Sequence, residues 1–541
     1  MRNSSQRIIP LLALLALLGS GCGRRTTPVS EGNRSQTLHV GTGGEPSELD
    51  PHLINAPPDY RVIHAFFEGL TRLDPVKIDV RPAVAERWET SADGLTFTFH
   101  LRANARWSNG DPVTADDFLF SFRRALSPAL GSQYTMLFNA VAGAEAFAAG
   151  KLTDFSQVGF SAPDPRTLVI RLARPTPYFL ALITGNPVWF PVHRATIERY
   201  GKIDQRGTGW TRPDRFVGNG AFVLKEWRPN QRITAEKSPT YWDAASVRLK
   251  AVHFHSIDNG EVEERAFRAG QLHVTRSVPE SRVGAYRAEK SPLLAITPEL
   301  TVRFINANTK RPPLGDARVR RALSLALDRT RYSERVLNGT EGPAFNLVPS
   351  GMPGYETSSS VVTEDAGRAR ALLAEAGFPS GKGFPKLTLA QPSGNGGELA
   401  EALQESWRTV LGIEIALQTS ESRQHWSNLQ LRQYDLSIGG WVADYPDAST
   451  FLDLFASGGG WNFTHWADPS YDALLTTAAA ELDPAHRRHL LQQAEARLLD
   501  GMPIIPLTFS RTRTLLQPSV REWPLNVLDR PDYKSTWLAP E

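Results

Sequence analysis

One cysteine in 541 residues, Cys22, rules out any disulfide within the chain. A fold of this length must therefore stand on buried apolar surface and hydrogen bonds alone. Apolar residues make up 41 % of the sequence, enough for large cores, and the length suits two or three domains of roughly 100–200 residues each. The 39 prolines and 42 glycines are spread along the chain, as in a loop-rich globular protein and unlike a low-complexity arm. No sustained heptad or fixed-period repeat occurs, which sets aside coiled coils and solenoids.

The position of that cysteine is informative. Arg2 and Arg7 precede a short apolar stretch, Ile8 to Leu18, and Gly19-Ser20-Gly21 supply small residues before a cut, the layout of an export signal over residues 1–21. The apolar run is too short to span a membrane, which takes about 20 residues. Leu17-Leu18-Gly19-Ser20-Gly21-Cys22 resembles a bacterial lipobox, with Gly19 where Leu is usual. The expectation is an acylated Cys22 as the new N-terminus, followed by a polar, flexible tether over residues 22–36.

Charge excludes little. Lys+Arg 60 against Asp+Glu 57 gives +3, and no concentrated basic face of the kind nucleic acids need is evident. The nearest candidate, Arg318, Arg320 and Arg321 with Arg329 and Arg331, falls on an amphipathic helix and reads as a solvated outer face.

The mature chain mixes strands and helices. Leu38-His39-Val40 opens a strand, and residues 95–102 alternate strictly, Leu95, Phe97, Phe99 and Leu101 to one side, as a half-buried strand does. After a turn at Asn109-Gly110-Asp111-Pro112, Thr114 and Asp117 stand at capping-box spacing before a helix through Phe118, Phe122 and Leu126. Residues 167–172 form another strand. Helices are predicted over 316–328, capped by Asp316, over 364–376, stopped by Gly377, and over 484–500, with Asp483 as cap and Gly501 as stop. The first part reads as α+β and the later part as an α/β lobe; two such lobes with a cleft between them suit ligand capture.

Catalytic signatures are missing: no H-E-x-x-H, G-x-S-x-G or G-x-x-x-x-G-K-[ST] occurs. His253 and His255 share one face of a strand, but no third ligand is suggested nearby, so they read as structural rather than metal-binding. Gly381-Lys382-Gly383 reads as a surface turn. Weight moves toward binding without turnover, with no cofactor or metal.

The segment 435–447 is the strongest candidate site. An apolar strand ends in Gly439-Gly440, Trp441 follows, and Asp444 precedes a Tyr-Pro turn. Glycines allow another backbone to come close, and a carboxylate among aromatic walls suits an ammonium group. An aspartate here could equally cap the following helix.

These residues also carry a resemblance. In order along the chain stand Glu48-Leu49-Asp50-Pro51; Phe67-Glu68-Gly69-Leu70; Trp107-Ser108-Asn109-Gly110 with Val113 to Phe118; Asn219-Gly220-Ala221-Phe222; Tyr241-Trp242-Asp243; Asp316 to Leu323; Leu372 to Gly377; and Trp441-Val442-Ala443-Asp444-Tyr445. From about Leu38 to about Tyr533 the chain resembles the bacterial extracellular solute-binding family 5, which serves oligopeptide and dipeptide ABC importers. The resemblance implies a two-lobed periplasmic-binding-protein-like α/β fold (type II, cluster C) with an extra inserted α+β domain. It places the first lobe at 37–67, 193–300 and 512–541, the inserted domain at 68–192 and the second lobe at 301–511. It implies a monomeric, exported, lipid-anchored binder, not an enzyme, that clamps a short extended peptide and hands it to a membrane permease and ATPase complex, with no nucleic acid involved. Asp444 then takes the ligand's α-ammonium beside Trp441, Gly440 and Val442 offer backbone groups, and Ala56 and Pro57 face them from the other lobe. Two departures stand out. The strand before the motif, Ser437-Ile438-Gly439, lacks the basic residues that take the ligand carboxylate in some relatives, although Arg432 is near. Asn306 replaces an acid, so a preference for basic side chains need not transfer. A non-peptide ligand (sugar, metal chelate or opine), an exported hydrolase, and a sensor or chaperone without a transporter are the other readings.

Overall fold

The computed structural model describes residues 26–357, 362–393 and 397–540. The signal segment, Cys22 and residues 23–25 lie outside them. Three main sheets organise the chain. In the first, Thr37–Gly41 pairs in parallel with Ala251–His255, which continues antiparallel through Arg232–Lys237 to Phe222–Arg228. The second is wholly antiparallel, in the order Ala85–Thr90, Thr96–Leu101, Thr167–Arg171, Phe160–Asp164. Its strand Thr96–Leu101 buries Phe97, Phe99 and Leu101, as the alternation requires. The helix Ala115–Leu126 buries Phe118 and Phe122, and its N-terminus is fixed by Asp117, whose carboxylate accepts from the Thr114 backbone N–H at 2.9 Å and from the Trp107 indole at 3.2 Å.

The third sheet has six strands, ordered Glu341–Pro343, Ile504–Leu515, Leu294–Ala307, Leu436–Val442, Leu387–Pro392, Ile415–Ser420. Buried apolar residues fall mainly into two clusters. One runs from Leu38 to Val274 and collects Tyr533 and Leu538; the other runs from Leu300 to Leu507. The boundary coincides with a break in one ladder. Leu294–Ala307 pairs with Ile504–Leu515 on both sides of a register shift between Pro298 and Val302. Two long strands thus cross from one lobe to the other where their register is interrupted, and a second shift follows between Arg303 and Phe304; such irregularities bend a sheet locally.

Several of the sequence stations prove to be joints. Glu68 is the clearest: its carboxylate accepts from the Tyr241 hydroxyl and the Trp242 indole, each at 2.6 Å, while its backbone exchanges hydrogen bonds with the Asn219 side chain. Gly220 is required beside it, because a Cβ there would lie 2.5 Å from the Phe66 carbonyl carbon. Asp50 does the same for another joint. Arg124 donates to it at 2.9 Å and Trp210 at 3.3 Å, and the Asp50–Arg124 pair is almost completely buried.

Four expectations need correction. The flexible tether does not extend to residue 36: Pro28–Ser35 is a helix, closed by a reciprocal Thr27–Ser30 capping box and docked through Val29 N–H to the Gly270 carbonyl at 3.0 Å. Polar composition suggested a tether, but those polar groups are capping groups. The arginine cluster is not a uniform solvated face. Arg320 and Arg329 are buried and donate to backbone carbonyls, Arg320 to Leu314 and Gly501, Arg329 to Pro506 and Ser324. A guanidinium presents enough donors to satisfy several chain ends at once. Gly501 does not stop the last long helix, which runs Pro484–Gly501; Met502 takes the left-handed conformation. Glycine is needed at 501 because a Cβ would meet the Trp466 indole at 2.9 Å. Finally, His253 and His255 are not alone. The parallel pairing brings His39 alongside, with His39 Nδ1 3.0 Å from His255 Nε2, and His273 Nδ1 accepts from the His39 backbone at 2.9 Å. Burial, then neighbouring imidazoles, pushes His39 down to about 2, so the cluster is neutral. Among the described residues no group of three or more is arranged to hold a metal.

Candidate functional site

The strand Leu436–Val442 lies inside the six-stranded sheet but is paired unequally on its two sides. Toward Leu294–Ala307 the ladder is complete from Leu436 to Val442. Toward Leu387–Pro392 it holds only Leu436 and Ser437. Beyond Ser437, no strand among the described residues pairs with that edge. The Ala443 N–H donates to the Leu300 carbonyl at 2.9 Å. Alternation in an antiparallel ladder then turns the N–H and C=O of Trp441 and Gly439 toward the partner strand, and those of Gly440 and Val442 toward the open edge. Gly439 and Gly440 are set by the protein's own packing: a Cβ at Gly439 would meet Asn306 Nδ2, and one at Gly440 the Val302 carbonyl, each at 2.7 Å.

Asp444 follows at the strand end. Its backbone N–H donates to Thr450 Oγ1 at 3.2 Å, but its carboxylate accepts no hydrogen bond among the described residues. The local capping work falls to Asp447, which accepts from the Ser449 N–H at 3.0 Å and is held by Arg487 at 2.7 and 2.8 Å. Burial pushes Asp444 up to about 6, offset only by the charge of Arg530. Between them Tyr445 stacks on Tyr178, ring centroids 5.0 Å apart and nearly parallel. The motif is thereby pinned to the lobe that carries the antiparallel sheet.

Two cavities meet at Asp444 and Val442. One, of about 330 Å³, is closed on the far side by Pro57, Tyr60 and Arg61 of the helix Pro57–Phe66, and by Arg276, Glu299 and Arg530. The other, of about 590 Å³, lies against the second lobe and is walled by Trp426, Trp441, Trp461, Phe463 and Phe304, with Gly440 and Asn306 at its floor. Trp461 packs edge-on to Trp441 at 5.0 Å. Of the residues singled out from sequence, Asp444, Val442, Trp441, Gly440, Asn306 and Pro57 gather around these two cavities. Ala56 does not line either; its N–H is tied to Asp59 at 3.1 Å. Arg432 is also elsewhere, donating to the Asn462 carbonyl at 3.1 Å. Sequence reasoning missed Arg530, Tyr60, Glu299 and the Trp426–Trp461–Phe463 wall. Tyr60, Glu299 and Trp426 lie on regular elements and Arg530, Trp461 and Phe463 between them, but no motif marks any of them and only the fold brings them together.

Comparison with known proteins agrees with this architecture. Residues 79–463 match the family described as bacterial extracellular solute-binding proteins, family 5 Middle. The chain is 34 % identical over 498 residues to the probable deoxycholate-binding periplasmic protein YgiS of Escherichia coli (strain K12), 91 % of each chain. It is 33 % identical over 526 residues to the oligopeptide-binding protein OppA of Bacillus subtilis (strain 168), 93 % of each. Among solved structures it is similar to the unliganded open form of the periplasmic murein tripeptide binding protein MppA, with a TM-score of 0.83 at 32 % identity, covering 93 % of this chain and 97 % of that one. Against another structure of MppA, from Escherichia coli, the score is 0.75 at 31 % identity, covering 93 % and 98 %. A two-lobed α/β fold with cavities between its lobes, a strand edge left unpaired among the described residues beside a solitary carboxylate, and similarity along nearly the whole length lead to one conclusion: the chain belongs to the bacterial extracellular solute-binding proteins of family 5.

Proposed function

We propose that this protein is the capture subunit of an ABC importer and that its solute is a short peptide, held between the lobes and passed to a membrane permease and ATPase complex. One observation carries the reading: the open backbone edge at Gly440 and Val442 ends in an unpaired, partly buried carboxylate, Asp444. An extended peptide adds to such an edge as a further strand, which recognises backbone and tolerates many side chains. Its α-ammonium then meets Asp444, and Pro57 and Tyr60 approach from the facing lobe as the cleft closes. The boundaries of the first lobe, the 68–192 insert and the second lobe are part of this proposal. Native mass spectrometry of the protein as purified from a peptide-rich medium tests it. The expected result is a heterogeneous mass excess that denaturation releases as peptides of two to five residues; release of a single non-peptide compound would sink the peptide reading.

A second reading rests on the apolar cavity. Three tryptophans and three phenylalanines around about 590 Å³ suit a large ring system, and one relative carries a deoxycholate-binding name. A bile-acid-like ligand has no ammonium, so its binding should not depend on Asp444.

The same proposal places the protein outside the cytoplasm on a lipid anchor at Cys22. Cys22→Ala should leave an uncut or soluble form. Detergent-phase partition that is unchanged by this substitution removes the anchor.

A further inference from the structure

The cleft cavity of about 330 Å³ is lined by three arginines, Arg61, Arg276 and Arg530. Asp529 neutralises the first two, at 3.3 Å from Arg61 and 2.9 Å from Arg276. Arg530 differs. Among the described residues no carboxylate pairs with it; its Nη1, like that of Arg61, is shielded from solvent without a hydrogen-bond partner. It stands where this cavity meets a smaller one of about 120 Å³ and lines both. His64 lines both as well, and its Nε2 is also buried without a partner; Arg72 Nε, in the smaller cavity, is a third. Burial, and then the charge of Arg530, holds His64 neutral, down to about 3.

Unpartnered guanidinium N–H groups of Arg530 and Arg72 thus collect at one end of the cleft, with the unpartnered His64 Nε2 beside them, and a carboxylate without a hydrogen-bond donor, Asp444, lines the same cavity as Arg530. Each deficit is unfavourable by itself, because a buried polar group that has lost water must find another partner. Arg530 and Asp444 influence each other's charge, yet no ion pair closes between them. Two other nearby cations are engaged: Arg432 with a backbone carbonyl, and Arg303, in the apolar cavity, with Glu341 at 2.8 Å. The strand before the motif supplies none, since Leu436 to Gly439 carry no charge.

We propose that Arg530, on the C-terminal segment and backed by His64, takes the carboxylate of the ligand, so that the cleft selects short zwitterions with the ammonium at Asp444 and the carboxylate at Arg530. A planar guanidinium accepts a carboxylate through two parallel hydrogen bonds. Gly440 lines only the larger cavity and Arg530 does not line it, so a ligand that reaches both Asp444 and Arg530 stays in the cavity of about 330 Å³ and meets the open edge at Val442 alone, which favours two or three residues over long chains.

This inference rests on the peptide reading, and the test separates the two. Two pools of randomised di-, tri- and tetrapeptides, identical except that one has free C-terminal carboxylates and the other C-terminal amides, are offered together to the full-length protein. Retention is read by native mass spectrometry. The free acids should be retained at least about tenfold over the amides, the effect of one charge-assisted hydrogen bond. Arg530→Gln should abolish that preference while amide retention stays level, and Arg530→Lys should keep part of it. Equal retention of acids and amides by the wild type overturns the role of Arg530 and leaves the peptide reading standing; Arg530 is then an internal counter-ion for Asp444. Retention of neither pool overturns both. Loss of both pools to the same extent in Arg530→Gln marks a structural residue and overturns the proposal. Should that variant not fold, the wild-type ratio and Arg530→Lys still decide.

Discussion

Replacing Asp444 by Asn should weaken binding of a short peptide by at least about tenfold while the protein melts at or above the wild-type temperature. Among the described residues the carboxylate has no hydrogen-bond or ion-pair partner, and burial raises it to about 6. A hydrogen bond to a charged group contributes about 1.5–3 kcal/mol net, and stranding a buried charge costs about 3–5 kcal/mol; one decade of affinity is about 1.4 kcal/mol. The amide keeps the shape and removes the charge. The sign on stability follows from linkage. A carboxyl whose folded pKa lies above its unfolded value is stabilising only when protonated, so its ionised form is unfavourable to the fold at neutral pH, and the amide relieves that. Binding has the opposite demand. An ammonium needs the ionised carboxylate, so wild-type affinity should fall as pH drops below about 6, by up to roughly tenfold per unit, and Asp444→Asn should lose that dependence. N-acetylation of the peptide should cost the wild type as much as the substitution does, and the mutant little. Calorimetry on the four combinations gives the coupling directly. If the two losses simply add, Asp444 is not the ammonium partner.

The largest stability effect should come from Arg124, far from the cleft. Its guanidinium is 1 % exposed and that of its partner carboxylate, Asp50, 3 %. Burial by itself would raise Asp50; Arg124 outweighs it and holds the carboxyl below the usual range. Arg124→Met leaves Asp50 facing only His52 and the Trp210 indole, an uncompensated buried charge worth about 3–5 kcal/mol of destabilisation. The first lobe should melt lower by roughly 6 °C or more. Asp50→Asn with Arg124→Met should recover much of the loss, since replacing both partners is far milder than stranding one. Calorimetric melting of the two singles and the double checks this, and a double variant no more stable than Arg124→Met alone contradicts it. The pair also predicts acid sensitivity. A depressed folded pKa gives stability that is present above the unfolded value and lost as pH falls through the folded one, so this contribution fades below about pH 4.

Local chemistry explains what could be read without coordinates. The alternation at 95–102 names its own buried face, and Thr114 with Asp117, Asp316, and Asp483 with Pro484 mark helix starts, because such signals depend on neighbours three or four residues apart. The absence of disulfides follows from one cysteine. The ordered stations pointed to the family, although Asp50 and Glu68, which carry part of that signal, turned out to be buried joints between distant segments.

What the sequence could not decide depends on residues far apart in it. Whether Asp444 caps a helix or faces a cleft was open until Asp447 was seen bonded to Ser449 and Arg487. His39 and His273 reached His253 and His255 only through strand pairing. Pro28–Ser35 looked like tether because nothing local shows that Gly270 receives it. Arg530 has no motif around it; its significance is that among the described residues no carboxylate pairs with it, a property of everything that surrounds it in space. Periodicity and capping are short-range and survive in one dimension. Desolvation, charge pairing and an unpaired strand edge belong to the assembled molecule, and the tertiary structure alone decided them.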